Sequence, residues 1–439
     1  MNKLKEPKNP WTPDDEKGHF PSPIEWWSNE ILLKDVKTKK EWNLKASFTE
    51  WCENKQKRIG CIYRTVLLDV ETDKHFEYSF RSDSHRFESS EKHFDVRLKD
   101  SFMRGLYPKY EMKFVDPEHK IETHLNYHAD VLPHWVSQDI TNGYLPMGLG
   151  QYRYGYIPKI SVTGTMKKDG ETLEVEGKGY LEHVWGSFSY DNPFKKDSDL
   201  KKTVSTYVKL LRWWLCNNTI RIPKSITFST ENNPFSYDWI WGLLDNGWTV
   251  FYGNSLFWIM DGPATGSLII SKDEKTYTEF GNITFKYNKI RYVKKYDFYY
   301  PEELELFAKQ GKEFLHLIFK NTTDYLEHIN PFPYAKHWWT GFAICEAPGI
   351  IEGFYSNGER KTKLSGICRL EPQRQISKLG HNSLKLDFLK PPKGVGISVD
   401  FESHFFEKKI KASLQLAPSP KLKFNFQRID RSKINKKIR

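Results

Sequence analysis

The chain has 439 residues, 38% hydrophobic and 15% aromatic, with 67 Lys+Arg against 56 Asp+Glu for a net charge of +11. This length exceeds one ordinary core and predicts two domains, which the bulky aromatic share lets relatively few residues fill. No apolar run is long enough to span a bilayer, and Cys52, Cys61, Cys216, Cys345 and Cys368 show no Cys-x-x-Cys spacing; composition therefore excludes a membrane-spanning helix, a disulfide framework and a zinc knuckle, and points to a soluble protein of the reducing, cytoplasmic compartment.

Residues 1–20 are charged and Pro-containing, without the apolar run of a signal peptide, and read as a disordered or surface-draped leader. A first β-domain is expected over 21–190, where short runs rich in Val, Ile, Phe, Tyr and Trp recur between polar turns. Near its end, alternating residues on either side of Lys168-Asp-Gly170 predict a hairpin. The stretch 191–236 differs in character. Tyr207, Leu210, Leu211 and Trp214 fall at i, i+3, i+4 and i+7, with Val204, Val208 and Leu215 alongside and Lys201, Lys202, Lys209 and Arg212 nearby. An amphipathic basic helix is expected over 204–215, either packed across a barrel or serving as a cover or a peripheral membrane contact. A second β-domain follows over 237–428, opened by a hairpin at Asp245-Asn-Gly247. Its Gly353, Gly358, Gly366 and Leu370-Glu371 echo Gly164, Gly170, Gly177 and Leu181-Glu182, a faint internal repeat. The basic tail 429–439 reads as a frayed terminus or an anion contact, and the dispersed charge elsewhere gives no reason to expect a specific nucleic-acid partner.

Nucleotide-binding glycine loops, the His-Glu-x-x-His zincin motif and the Gly-x-Ser-x-Gly elbow are absent from the sequence, which disfavours those chemistries. His124, His128 and His134 lie close together, but Ile121–Val131 alternates like a strand and spreads them apart, so neither a metal site nor a cofactor is expected.

The chemistry concentrates in Gly177-Lys-Gly-Tyr-Leu-Glu-His-Val-Trp-Gly186, where Glu182, His183 and Trp185 end a strand. This stretch resembles the Gly-x-Gly-Tyr-x-Asp-His-x-Trp-Gly signature of the AttH-like and carotenoid hydratase (hydroxyneurosporene synthase) superfamily. Ile24-Glu-Trp-Trp27 is similar to that group's opening Glu-Trp-Trp-Tyr, and Asp238-Trp-Ile-Trp-Gly-Leu-Leu-Asp-Asn-Gly247 to the strand and hairpin that open its second half. The resemblance implies an all-β fold of two consecutive lipocalin-like antiparallel β-barrels, here with a partly helical insert, and a hydrophobic site between or within them.

It further implies an isoprenoid, polyene or similar lipophilic ligand and, in some relatives, cofactor-free hydration, cyclisation or isomerisation, that is, a hydro-lyase or an isomerase. His183 and Trp185 match the pair implicated in the hydratases, and the Tyr-x-Asp pair corresponds to Tyr252-Gly-Asn254. Trp26, Trp27, Trp239, Trp241 and Asn254 are the expected substrate-binding residues. Two positions depart from the pattern: Glu182 replaces Asp, and Asn254 stands where an acid is expected, although an amide cannot donate a catalytic proton. Chemically, His183 can protonate an alkene, oriented by Glu182 or Tyr252, while the face of Trp185 stabilises the carbocation. The same residues can equally form a buried hydrogen-bonded plug that closes a barrel. A non-catalytic lipid or isoprenoid carrier using the same pocket is the alternative function, and an interaction module for acidic partners is a third.

Overall fold

The computed structural model describes residues 10–53, 57–82, 87–188, 199–217, 225–229, 236–255, 265–293, 298–322, 326–330, 342–375, 382–389, 396–405, 408–415 and 421–428. At 53, 57–59, 87, 225–229, 254–255, 265–266 and 326–330, and from 375 onward, the description is of the backbone alone. The basic tail 429–439 and residues 1–9 lie outside the described residues.

Two antiparallel curled sheets, each a half-barrel, follow one another along the chain. In the first, Glu171–Ser187 returns to lie between Ile24–Asp35 and Gly150–Lys168. In the second, Lys361–Gln375 likewise returns between Tyr237–Leu244 and Phe342–Ser356. Local chemistry sets these central hairpins. Asp169 and Gly170 take φ of 53° and 87°, as a two-residue turn with two left-handed positions demands. Gly247, at φ 85°, donates its N–H to the Leu244 carbonyl at 2.9 Å and closes the Asp245-Asn-Gly247 turn.

The faint sequence echo is a real structural repeat. A methyl group added to Gly164 would lie 2.1 Å from the His124 carbonyl oxygen, and one added to Gly353 would lie 2.0 Å from that of His316. Gly177 and Gly366 repeat the relation against Leu32 and Leu243, at 2.3 and 2.2 Å. Strands thus cross too closely at these points in both halves for any side chain to fit.

Each curl is filled by its own side chains: Trp27, Ile31, Leu44, Phe48, Met112 and Leu125 in the first, and Ile240, Tyr252, Leu268, Leu304, Leu317 and Leu370 in the second. A third apolar cluster, with Tyr156, Tyr180, Val184, Trp239, Trp241 and Phe251 among its members, joins the outer faces of the two sheets. Each such fully buried side chain contributes roughly 1.5–3 kcal/mol. A further five-stranded sheet pairs Ser225–Ser229 with Asn382–Leu389, followed by Gly396–Phe405, Lys408–Gln415 and Lys421–Arg428. Its strands are drawn from both the 191–236 insert and the 237–428 stretch of the sequence reading.

The expected helix forms over Leu200–Asn217, but its buried face differs from the sequence stripe. Thr203, Thr206 and Trp214 face inward, Tyr207 and Leu210 are half-buried, and Leu211 is exposed. Tyr207 donates to the Gly148 carbonyl at 3.0 Å, and Thr206 donates to Gln151 Oε1 at 3.3 Å, which pins the helix to the first sheet. No described helix is long and apolar enough to cross a membrane. The leader is draped rather than loose from residue 10 on: Pro13–Asp15 forms a helical turn, and Asp15 and Glu16 are buried against the first sheet.

Candidate functional site

Alternation along Glu171–Ser187 sends Tyr180, Glu182 and Val184 to one face of the sheet and Leu181, His183 and Trp185 to the other. Glu182 and His183 therefore never meet, and the expectation that Glu182 orients His183 is corrected. The partner of His183 is Glu25, whose Oε1 lies 2.7 Å from Nε2. Trp27 pairs with His183 and Glu25 with Trp185 in the strand register, so Glu25, Trp27, His183 and Trp185 share one face.

The leader covers this face. The Asp15 carbonyl oxygen sits 2.8 Å from His183 Nδ1, and Arg153 Nη1 fixes Asp15 by an ion pair at 2.7 Å. His19 donates its backbone N–H to the Glu25 carboxylate at 2.9 Å and brings its ring Nδ1 within 2.9 Å of Oε1. The His183 ring lies between two indoles, with centroids 4.7 Å from Trp27 and 4.7 Å from Trp185. His19 stacks on Trp185 at 3.8 Å, and Trp11 reaches over Gly155 to stand 6.5 Å from His183.

Burial pushes the His183 imidazole down from its ordinary value, and the Glu25 carboxylate only partly offsets this, so the net shift is downward. Burial also opposes ionisation of Glu25, but the hydrogen bonds from His183 and His19 outweigh it and hold that carboxyl below its usual range. The contacts decide the protonation state of the pair. Asp15 O can only accept, so Nδ1 carries a proton; a neutral ring would then turn the Nε2 lone pair onto Glu25 Oε1 at 2.7 Å. The pair accordingly shares one extra proton across the Nε2–Oε1 contact; the stacked Trp27 face favours its residence on the imidazole, and burial opposes it.

His19, Glu25 and His183 are also the group, among the described residues, whose ligand atoms all lie within 4.8 Å of one another. Two ligands on a tetrahedral zinc stand roughly 3.3 Å apart, given bonds of about 2.0–2.1 Å. The 2.7 Å His183–Glu25 contact is shorter and suits a shared proton. His124 and His128 occupy the exposed face of Ile121–Ala129, whereas His134 is buried, hydrogen-bonded to Ser271 at 2.9 Å and pushed down to about 4 by burial.

Glu182 belongs to the contact between the two halves. It accepts from Trp26 Nε1 at 2.8 Å, from Tyr180 OH at 2.5 Å and from Tyr154 OH. Its repeat equivalent, Glu371, accepts from Tyr237 OH at 2.9 Å. Lys45 of the first half reaches Glu346 and Glu371 of the second, and Arg369 of the second reaches Glu30 at 2.8 Å and Asn43 Oδ1 at 2.9 Å. Burial, reinforced by the neighbouring carboxylates and only partly relieved by Lys45, pushes Glu371 up to about 7.

The remaining expected residues scatter. Trp27 stacks on His183, and Trp26 faces the opposite way. Trp239 and Trp241 lie in the apolar contact between halves, with Trp241 Nε1 donating to Pro158 O at 2.8 Å. Tyr252 is buried in the core of the second half, apart from His183, so it cannot orient that ring. Asn254 pairs through its backbone with Asp238 and Gly266, and its side chain lies outside the described residues. Sequence reasoning missed Glu25, His19 and Asp15. For Glu25 a signal existed, because period-two alternation places it on the Trp27 face.

No family model and no curated protein matches the chain at the sequence level. Among solved structures, an AttH-like protein of Nitrosomonas europaea superposes with a TM-score of 0.53 at 14% identity, covering 83% of this chain and 97% of that one. Kievitone hydratase from Nectria haematococca gives 0.49 at 12% identity over 86% and 94% of the two chains, and CghA gives 0.48 at 10% over 84% and 93%. Two curled sheets in sequence, the shared return of the last strand beside the first, and the N. europaea superposition give this chain the AttH-like, double lipocalin-like fold.

Proposed function

We propose that the chain binds a lipophilic alkene of isoprenoid, polyene or polyketide-like type at the leader-covered end of the first sheet and protonates one of its C=C carbons. The observation that carries this reading is the His183 ring with oxygen acceptors at both nitrogens, 2.7 and 2.8 Å away, inside an aromatic surround. Such a ring stores the proton that a Brønsted acid needs.

The leader occupies the places a substrate would take. Asp15 O blocks the Nδ1 proton, and His19 covers the face of Trp185. Moving the leader aside frees both, while Glu25 retains the Nε2 proton. Transfer from Nδ1 uses the alkene π pair to form a C–H bond, leaves the positive charge on the adjacent carbon, and leaves His183 neutral. The uncovered Trp185 face stabilises that cation by about 2 kcal/mol when desolvated. Capture by water, with the released proton returning to Nδ1, gives hydration. Attack by an internal double bond gives cyclisation, and loss of a different proton gives isomerisation.

The test combines mass spectrometry of lipophilic compounds co-purifying with the native protein and incubation of polyene and terpenoid candidates with wild type and His183→Gln. Conversion by wild type alone, with the two thermal midpoints within a few degrees, is the expected result. A ligand bound saturably and recovered unchanged from wild type would refute the acid chemistry and establish the carrier function instead.

A further inference from the structure

The helix Leu200–Asn217 turns a second apolar stripe outward. Val204, Val208, Leu211 and Leu215 follow one another at i, i+4, i+7 and i+11, and they are 51, 58, 41 and 37% exposed. The opposite side is engaged, because Thr203, Thr206 and Trp214 are buried and Tyr207 and Thr206 are hydrogen-bonded to the first sheet. The stripe is therefore held outward by a fixed helix. Four aliphatic side chains in line on one helical face are an unusual surface for water to wet.

The charge around the stripe identifies what covers it. Within Leu200–Asn217 there are four cations, Lys201, Lys202, Lys209 and Arg212, and no carboxylate. Arg212 is one turn from both Val208 and Leu215, and Lys201 is one turn from Val204, so cations border the stripe near both ends. An aliphatic stripe bordered in this way, on a helix without a carboxylate, matches the two layers of an anionic bilayer surface, with acyl chains below and phosphate headgroups above. We infer that this helix lies in the headgroup region of an anionic membrane, with Val204, Val208, Leu211 and Leu215 inserted and Lys201, Lys209 and Arg212 against the headgroups.

The position of the helix gives this contact a use. Lys202 lies over the Tyr144 ring at 4.4 Å, and Arg153, which anchors Asp15 of the leader, lies over the same ring at 5.3 Å. The membrane-facing helix and the strap over His183 thus meet at one tyrosine. A ligand dissolved in the bilayer would reach the covered end of the first sheet without crossing open water. The docking inference stands on the helix alone and does not need the acid chemistry to be right.

The experiment is co-sedimentation of the full chain with vesicles of phosphatidylcholine alone and of phosphatidylcholine with phosphatidylserine. Wild type should bind the mixed vesicles, less so at high salt. Val208→Glu with Leu211→Glu should weaken that binding by about tenfold or more, since two aliphatic insertions are lost. Lys201→Glu with Arg212→Glu should abolish the preference for the anionic vesicles. These side chains are exposed, and an unchanged thermal midpoint confirms that each variant is folded. Equal binding by wild type and the Val208/Leu211 variant would overturn the inference. So would a concentration-dependent dimer, seen by light scattering, that this variant abolishes, since the stripe would then belong to a second copy of the chain.

Discussion

The two halves carry equivalent strand ends that are filled by different chemistry. In the first, Glu25 meets His183 under the leader; in the second, Asp238 meets Arg374 at 2.9 Å, with the Tyr287 hydroxyl donating to the same carboxylate. The repeat places Pro372 opposite His183 and Arg374 opposite Trp185, so one buried acid in each half is satisfied by a base drawn from the returning strand. Closing the sheet end with a buried ion pair is thus common to both. What differs is that an arginine keeps its proton at every accessible pH, while a histidine can give one away. A buried ion pair closes the sheet end in both places, and only the first is built from a side chain able to release its proton.

The largest test of that contrast is Arg374→Met. It leaves the buried Asp238 carboxylate with the Tyr287 hydrogen bond but without its counter-charge, and should cost about 3–5 kcal/mol in chemical denaturation. A loss below about 1 kcal/mol would show that the second pair is not the structural counterpart it resembles.

Next in size is the pair of echo glutamates. Burial holds Glu371 in the folded chain up at about 7, against an ordinary carboxylate value of 4.5. The folded state therefore favours the protonated form. Its contribution to stability is complete below pH 4.5 and is lost as the pH rises through 7. The shift corresponds to roughly 3 kcal/mol. Glu371→Gln should flatten this part of the stability profile, so that the variant gains on wild type between pH 5 and 8, and parallel profiles would show that Lys45 already neutralises the site.

Gly164→Ala and Gly353→Ala test the repeat itself. Each forces a methyl group into a strand carbonyl, and each should cost about 1–3 kcal/mol, with similar values for the two. Markedly unequal losses would mean that the halves share a strand order but not their packing at these crossings.

The smallest effect on stability, and the largest on chemistry, belongs to Glu25→Gln. The amide oxygen still accepts from His19, and the amide NH2 can donate to Nε2 of a neutral His183, so the cost should stay near 1 kcal/mol. Loss of the carboxylate should nonetheless leave His183 neutral at pH 7. Nitrogen-15 spectra of histidine-labelled protein report this directly: two protonated ring nitrogens at His183 in wild type, one in the variant.

Much of this architecture was legible in the sequence, wherever a short stretch decides its own conformation. Asp169-Gly170 and Asn246-Gly247 dictate their turns, and the apolar spacing around Tyr207 dictates a helix. Which face of that helix would be buried was not legible, since Gly148 and Gln151, which hold it, lie more than fifty residues away. Reading Glu182 and His183 as partners set adjacency in the chain above the alternation of a strand, and alternation prevails because successive side chains leave a sheet on opposite sides. His19 and Asp15 were hidden for a different reason. Their leader is mostly polar, with Trp11 and Phe20 too sparse to make a pattern, and its order comes from contacts with Trp135, Arg153, Glu25 and His183 rather than from any propensity of its own.

Lys45 and Arg369 carry a consequence for assembly. Each half lends the other a cation: Lys45 goes to Glu346 and Glu371, and Arg369 goes to Glu30. Each cation also serves its own half, Lys45 at 3.5 Å from Glu30 and Arg369 at 3.0 Å from Glu346, so either half alone would keep one cation but lose the crossed contact and bare an aromatic face. Two fragments made by cutting the chain between the sheets should therefore be poor at folding singly and should recognise one another when expressed together, as a split protein whose complementation is encoded in two crossed ion pairs.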